Sequence, residues 1–116
     1  MLKGHKKTVS YLEFISNEEL VSASTDNDLR LWEYNEQKTV QIYRGHINEK
    51  NFVGLSINQD YIACGSENNQ CFVYEKSFGK PVLSYKFDIP CSILVCAIIS
   101  YYIHSRPNTP LSLIHI

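Results

Sequence analysis

His5, Ser22, Asp26 and Trp32 are the residues whose types and spacing could do chemistry in this chain. An imidazole placed between a hydroxyl and a carboxylate is the arrangement that activates a serine nucleophile. The same groups read differently once the indole is counted. Its N–H supplies a further donor, and a half-buried hydroxyl shared by an imidazole and an indole is committed to a structural network. We therefore read the four as a polar relay and assign no catalytic residue. Cys64 and Cys71 flank a turn and are spaced to face each other across strands, yet a metal site would need two further ligands at suitable spacing. His104 and His115 have no candidate partners nearby in the sequence, and no Gly-rich phosphate loop occurs. No metal or cofactor is expected.

The relay residues recur. Gly45-His46 follows Gly4-His5 by 41 positions, Cys64-Gly65-Ser66-Glu67-Asn68 follows Ser22-Ala23-Ser24-Thr25-Asp26 by 42, and Val73-Tyr74 follows Leu31-Trp32 by 42. In the second copy Cys64 stands for the hydroxyl, Asn68 for the carboxylate and Tyr74 for the indole, around His46. Asn and Tyr still hydrogen-bond, but a thiol is a weak donor, so this copy predicts a looser link.

Around these residues the pattern is that of short strands. Alternating runs over Thr8–Phe14, Leu20–Ser24, Asp28–Tyr34 and Lys38–Arg44 are separated by turn residues at 16–19, 25–28 and 35–37. A second set follows at Asn51–Ile57, Tyr61–Ser66, Gln70–Glu75 and Val82–Phe87, with Pro81 tolerable at the start of an outer strand. Eight Tyr, five Phe and one Trp suit strands. Gly-His near the start, Ser-Ala-Ser-Thr-Asp and Leu-Arg-Leu-Trp together form the signature of WD repeats, at a period near forty. The expected fold is all-β: two four-stranded antiparallel blades of a WD-repeat β-propeller. We divide the chain into blade 1 at 1–44, a degenerate blade 2 at 45–88 and a divergent tail at 89–116.

Propellers close with about four to eight blades, so two blades are part of one, and each flank should offer an apolar face to water. The tail carries the run Ile93–Ile99 and no third signature. It could be a strand of the next blade, sequence unrelated to the fold through alternative splicing or a truncated gene prediction, or a tail anchor. We expect the second, because the run is shorter than the roughly twenty apolar residues of a membrane span. A formal charge of −1 gives no electrostatic case for nucleic-acid or membrane partners. The chain opens without a secretory signal, and Cys64, Cys71, Cys91 and Cys96 lack Cys-x-x-Cys spacing, so reduced thiols are expected.

A narrower resemblance rests on Lys3-Gly4-His5-Lys6-Lys7, Tyr61-Ile62-Ala63-Cys64-Gly65-Ser66-Glu67-Asn68-Asn69, and above all on Arg44-Gly45-His46 followed by Asn48-Glu49-Lys50-Asn51-Phe52-Val53-Gly54-Leu55. Over about residues 2–88 the chain resembles the propeller of the constitutive photomorphogenesis E3 ubiquitin ligases and their relatives. In that family a RING domain and a coiled coil precede the propeller, whose top face holds short Val-Pro motifs of substrates or adaptors, in the nucleus and cytosol. The resemblance implies peptide contacts at Lys7 and Phe52, with Glu49 beside them, and ubiquitin ligase assembly components as partners. It implies no ubiquitin transfer by this chain itself, which shows no RING and no catalytic residue. Two other readings stand beside it: a scaffold propeller of a ligase-associated relative, and an inactive truncated isoform.

Overall fold

A computed structural model describes residues 2–50 and 54–86. Among them all regular structure is strand. β1 (Val9–Phe14), β2 (Glu19–Ser24), β3 (Leu29–Glu33) and β4 (Lys38–Tyr43) form one antiparallel sheet in chain order. β5 (Leu55–Ile57), β6 (Tyr61–Ser66), β7 (Gln70–Glu75) and β8 (Pro81–Lys86) form a second of the same topology. The WD-repeat blade reading is thus met, strand by strand, for the described residues. The tail and residues 51–53 lie outside them.

Local chemistry sets the turns. Ser16 Oγ accepts the N–H groups of Glu18 and Glu19, Asp26 Oδ1 accepts that of Asp28, and Asn58 Oδ1 accepts those of Asp60 and Tyr61. Asn27 and Asn69 take the left-handed conformation, with φ of 70° and 62°, at matching points of the two copies. Such side-chain acceptors offer the backbone a bond at the point where the ladder ends.

Alternation then sorts the strands into faces. Val21, Ala23, Leu29, Leu31 and Tyr43 project from the first sheet onto Ile57, Ile62, Cys64, Phe72 and Tyr74 of the second, and all ten are buried in one core. The rings of Tyr43 and Tyr74 lie 5.4 Å apart across it. Polar links tie the rims: Lys76 Nζ meets Glu19 Oε1 at 2.6 Å, Tyr43 Oη donates to the Lys76 carbonyl, and Arg44 N–H donates to the Gly79 carbonyl. Cys64 pairs across the ladder with Phe72, and Cys71 with Gly65, so the two thiols point to opposite faces of their sheet. The idea that they face each other is corrected by this one-residue offset.

The opposite face of the first sheet is covered by no other sheet among the described residues. Leu12 and Phe14, opposite Ser22 and Leu20, are 55% and 56% exposed. Their counterparts Leu55 and Ile57, opposite Cys64 and Ile62, pack against the core, and Ile57 is 7% exposed. On the far flank the expectation holds only in part. Tyr85 is exposed, whereas Ala63, Cys71 and Val73 are buried.

The chain passes from one sheet to the next at Gly45, whose φ is +147° and where an added Cβ would lie 2.7 Å from Pro81 Cγ. Gly45→Ala should therefore cost about 2 kcal/mol of stability, from backbone strain and overlap with the proline ring. Chemical denaturation of the variant and the parent chain measures it; an unchanged midpoint would count against this packing.

Candidate functional site

The four residues singled out from the sequence meet beneath the outer face of the first sheet. His5 Nδ1 is 3.0 Å from Asp26 Oδ2, and His5 Nε2 is 2.6 Å from Ser22 Oγ. Trp32 Nε1–H donates to the same Ser22 Oγ at 2.7 Å. With Nδ1–H donating to the carboxylate, Nε2 accepts from the serine hydroxyl, which in turn accepts from the indole. Every polar atom of the relay then has its partner. This is also the proton order of a nucleophilic triad, here with Ser22 only 2% exposed and its oxygen shared with the indole. The arrangement holds the segment before β1 onto the sheet.

Two further contacts fix that segment. An added Cβ on Gly4 would lie 2.5 Å from Arg30 Nη1 and 2.8 Å from Trp32 Cη2, so only glycine lets the chain cross the indole. The Arg30 guanidinium in turn sits 5.9 Å from the centroid of the Trp32 ring. Burial alone would raise the Asp26 carboxyl; the Lys6 N–H, the His5 ring and the Asp28 N–H outweigh it and hold the group below its ordinary value.

The second copy is wired differently. Tyr74 Oη accepts the His46 backbone N–H at 3.2 Å and lies 2.8 Å from His46 Nδ1, so the residue at the indole's position engages the ring directly, without a hydroxyl between them. Cys64 packs in the core. Asn68 does not take the carboxylate's place: its amide donates to Gln70 Oε1 at 2.6 Å, and His46 Nε2 has no partner among the described residues. Tyr74 reaches His46 from the far strand and engages Nδ1, the atom that Asp26 holds in the first copy. Burial pushes the His46 pKa down to about 4, against the pull of the nearby Asp28 and Asp26 carboxylates.

Lys7 and Glu49, both exposed, are not brought into one cleft. Lys7 lines a cleft of about 460 Å³ with Leu2, Leu12 and Trp32. Glu49 lines another of about 450 Å³ with Lys6, Asp28, Arg44 and His46. Lys6 and Lys7 are chain neighbours, so the two clefts flank one short stretch of backbone. Phe52 lies outside the described residues. Sequence reasoning missed the charge cluster beside the second cleft, where Asp28 receives Arg44 Nε at 2.9 Å and faces Arg30 Nη2 at 3.7 Å. It also missed buried Asn48, whose N–H donates to Asn27 Oδ1 at 2.7 Å. Asp28 directly after an Asx turn was the available signal for the first. Among the described residues no group of three His, Cys, Asp or Glu is placed to hold a metal.

The family model described as "WD domain, G-beta repeat" matches residues 1–33 and 37–75. The chain belongs to the WD-repeat family. The second match begins at β4 and ends with β7, so one sequence repeat supplies the outer strand of one sheet and three strands of the next. Among known proteins, the chain is 54% identical over 90 residues to E3 ubiquitin-protein ligase COP1 of Arabidopsis thaliana, covering 78% of this chain and 13% of that protein. It is 57% identical over 84 residues to the ligase of the same name in Pisum sativum, covering 72% of this chain and 12% of the relative. Protein SUPPRESSOR OF PHYA-105 1 of Arabidopsis thaliana matches at 50% over 94 residues, covering 74% and 9%. These WD repeats are thus homologous to those of the COP1 family, and the chain spans only a small part of such relatives' length.

The buried His46 makes stability depend on pH. Its folded pKa of about 4 lies below the ordinary 6.5, so the unfolded chain binds the extra proton first. Stability should be full above about pH 6.5 and fall by roughly 3 kcal/mol as pH drops to about 4. Protonation of Asp26, whose folded pKa is lowered, removes more below that. Denaturant titrations across this window check it; His46→Gln should flatten the slope.

Proposed function

We propose that this chain is a substrate- or adaptor-recognition segment of a ubiquitin-ligase propeller, holding short peptides that carry a Val-Pro motif. The observation that carries the reading is identity of half or more, spanning both sheets, to proteins named as E3 ubiquitin-protein ligases. The stretch from Arg44 to Leu55, which a generic WD repeat does not require, supports it. In this reading Lys7 meets a peptide carbonyl or an acidic flank, Phe52 gives the Val-Pro pair an apolar wall, and Glu49 borders them. An extended peptide laid over residues 6 and 7 spans both clefts. Its partners are substrate or adaptor proteins and components of a ligase assembly, and its setting is the nucleus and cytosol. The blade boundaries at 1–44 and 45–88 belong to the same proposal.

A second reading is a scaffold without ligase activity. It is favoured by comparable identity to relatives not named as ligases: 52% over 90 residues to Protein SPA1-RELATED 4 and 48% over 83 to WD repeat-containing protein RUP2. A RING domain upstream in the parent transcript separates the two.

Central aromatic and charged contacts carry most of the energy of such interfaces. Lys7→Glu and Phe52→Ala should each weaken a Val-Pro peptide by about 2 kcal/mol, roughly thirtyfold in Kd. Calorimetry on the parent chain and both variants decides it; equal affinities remove these assignments.

A further inference from the structure

Residues 47–50 form the exposed link into the second sheet, yet their backbone is held on both sides. From the first sheet, Asn27 Oδ1 accepts the Asn48 N–H at 2.7 Å and Asn27 N–H donates to the Asn48 carbonyl at 3.1 Å. From the second, Ser66 Oγ accepts the Ile47 N–H at 2.8 Å and Glu67 N–H donates to the Ile47 carbonyl at 2.8 Å. The Glu67 carboxylate then accepts two more, from the N–H of Lys50 at 2.9 Å and from that of Glu49. Four consecutive N–H groups are taken by side chains, three of them by Ser66 at the end of β6 and Glu67 just after it. None of these bonds belongs to the ladder of either sheet.

The two copies separate the general part of this arrangement from the particular one. Ser24 at the position of Ser66 also binds the segment leading to its own first strand, through the Lys7 carbonyl at 3.2 Å. That contact serves the fold. At the position of Glu67 the first copy has Thr25, which offers no carboxylate. A charged acceptor shared by two backbone N–H groups is a strong and directional tie. In the second copy it falls on Glu49 and Lys50, next to the residues proposed to meet the peptide.

The geometry points to Glu67, assisted by Asn27, as a positioning residue that presets the 47–50 backbone for peptide binding and so sets affinity without touching the ligand. The inference rests on the reading of this surface as the Val-Pro site. A loop fixed before the encounter loses less entropy on binding than a free one.

The test uses the full chain and a synthetic peptide of about ten residues with a central Val-Pro, with two variants. Glu67→Thr installs the residue that the first copy tolerates, and Glu67→Gln keeps one acceptor oxygen. Calorimetry gives affinity, and amide exchange by NMR reports the Glu49 and Lys50 N–H groups beside those of Ile62 and Val73 in the core. Glu67→Thr should free the two loop amides, leave the core amides protected and weaken the peptide about tenfold, while Glu67→Gln stays within about twofold of the parent. Freed loop amides with unchanged affinity overturn the inference, as does affinity lost equally in both variants. Loop amides that stay protected in Glu67→Thr overturn the clamp itself. A parent chain that binds no peptide overturns instead the reading of the surface.

Discussion

The first sheet is built around an imidazole whose two nitrogens are both satisfied. His5 lies over the sheet with Asp26 taking one nitrogen and Ser22 the other, while the Trp32 N–H donates to the same Ser22 oxygen. Removing one member leaves others buried without partners, which costs more than the bond itself gained. The relay therefore fixes the segment before β1, the turn after β2 and the face of β3 relative to one another. The one hydroxyl of the relay is shared between the imidazole and the indole.

The second constraint is that a sheet with apolar residues on both faces needs a neighbour on each. Within this chain the first sheet supplies one such neighbour to the second, and the core between them joins residues far apart in sequence. Because one sequence repeat ends in a different sheet from the one in which it begins, successive sheets are tied covalently as well as by packing. The exposed Leu12 and Phe14 belong to the same logic: they occupy positions that are covered wherever a preceding sheet exists.

Function in such a fold sits on the connections, which the sheets hold still. The stretch at residues 4–8 is pinned by the relay, and the link at 47–50 is pinned by turns from both sheets. Between and beside them lie the two clefts. The chain thus presents a partly charged rim between two clefts.

The sequence by itself determined the strands, their order and the composition of the first relay, because these depend on alternation, turn residues and spacing that are local or strictly periodic. Seven of the eight strand spans agree to within about a residue at either end, as expected where apolar alternation and Asx turns coincide; the span expected for β5, 51–57, lies partly outside the described residues. The second relay was decided only in three dimensions. Aligning Asn68 with Asp26 assumed that like positions do like work, but a phenol on β7 extends farther than the groups it replaces and reaches His46 Nδ1, leaving Asn68 to Gln70. The separation of Lys7 and Glu49 into two clefts, and the grip of Asn27 and Glu67 on the link between sheets, likewise have no signal in spacing. They arise where the rims of two sheets meet, and that meeting depends on how the faces pack.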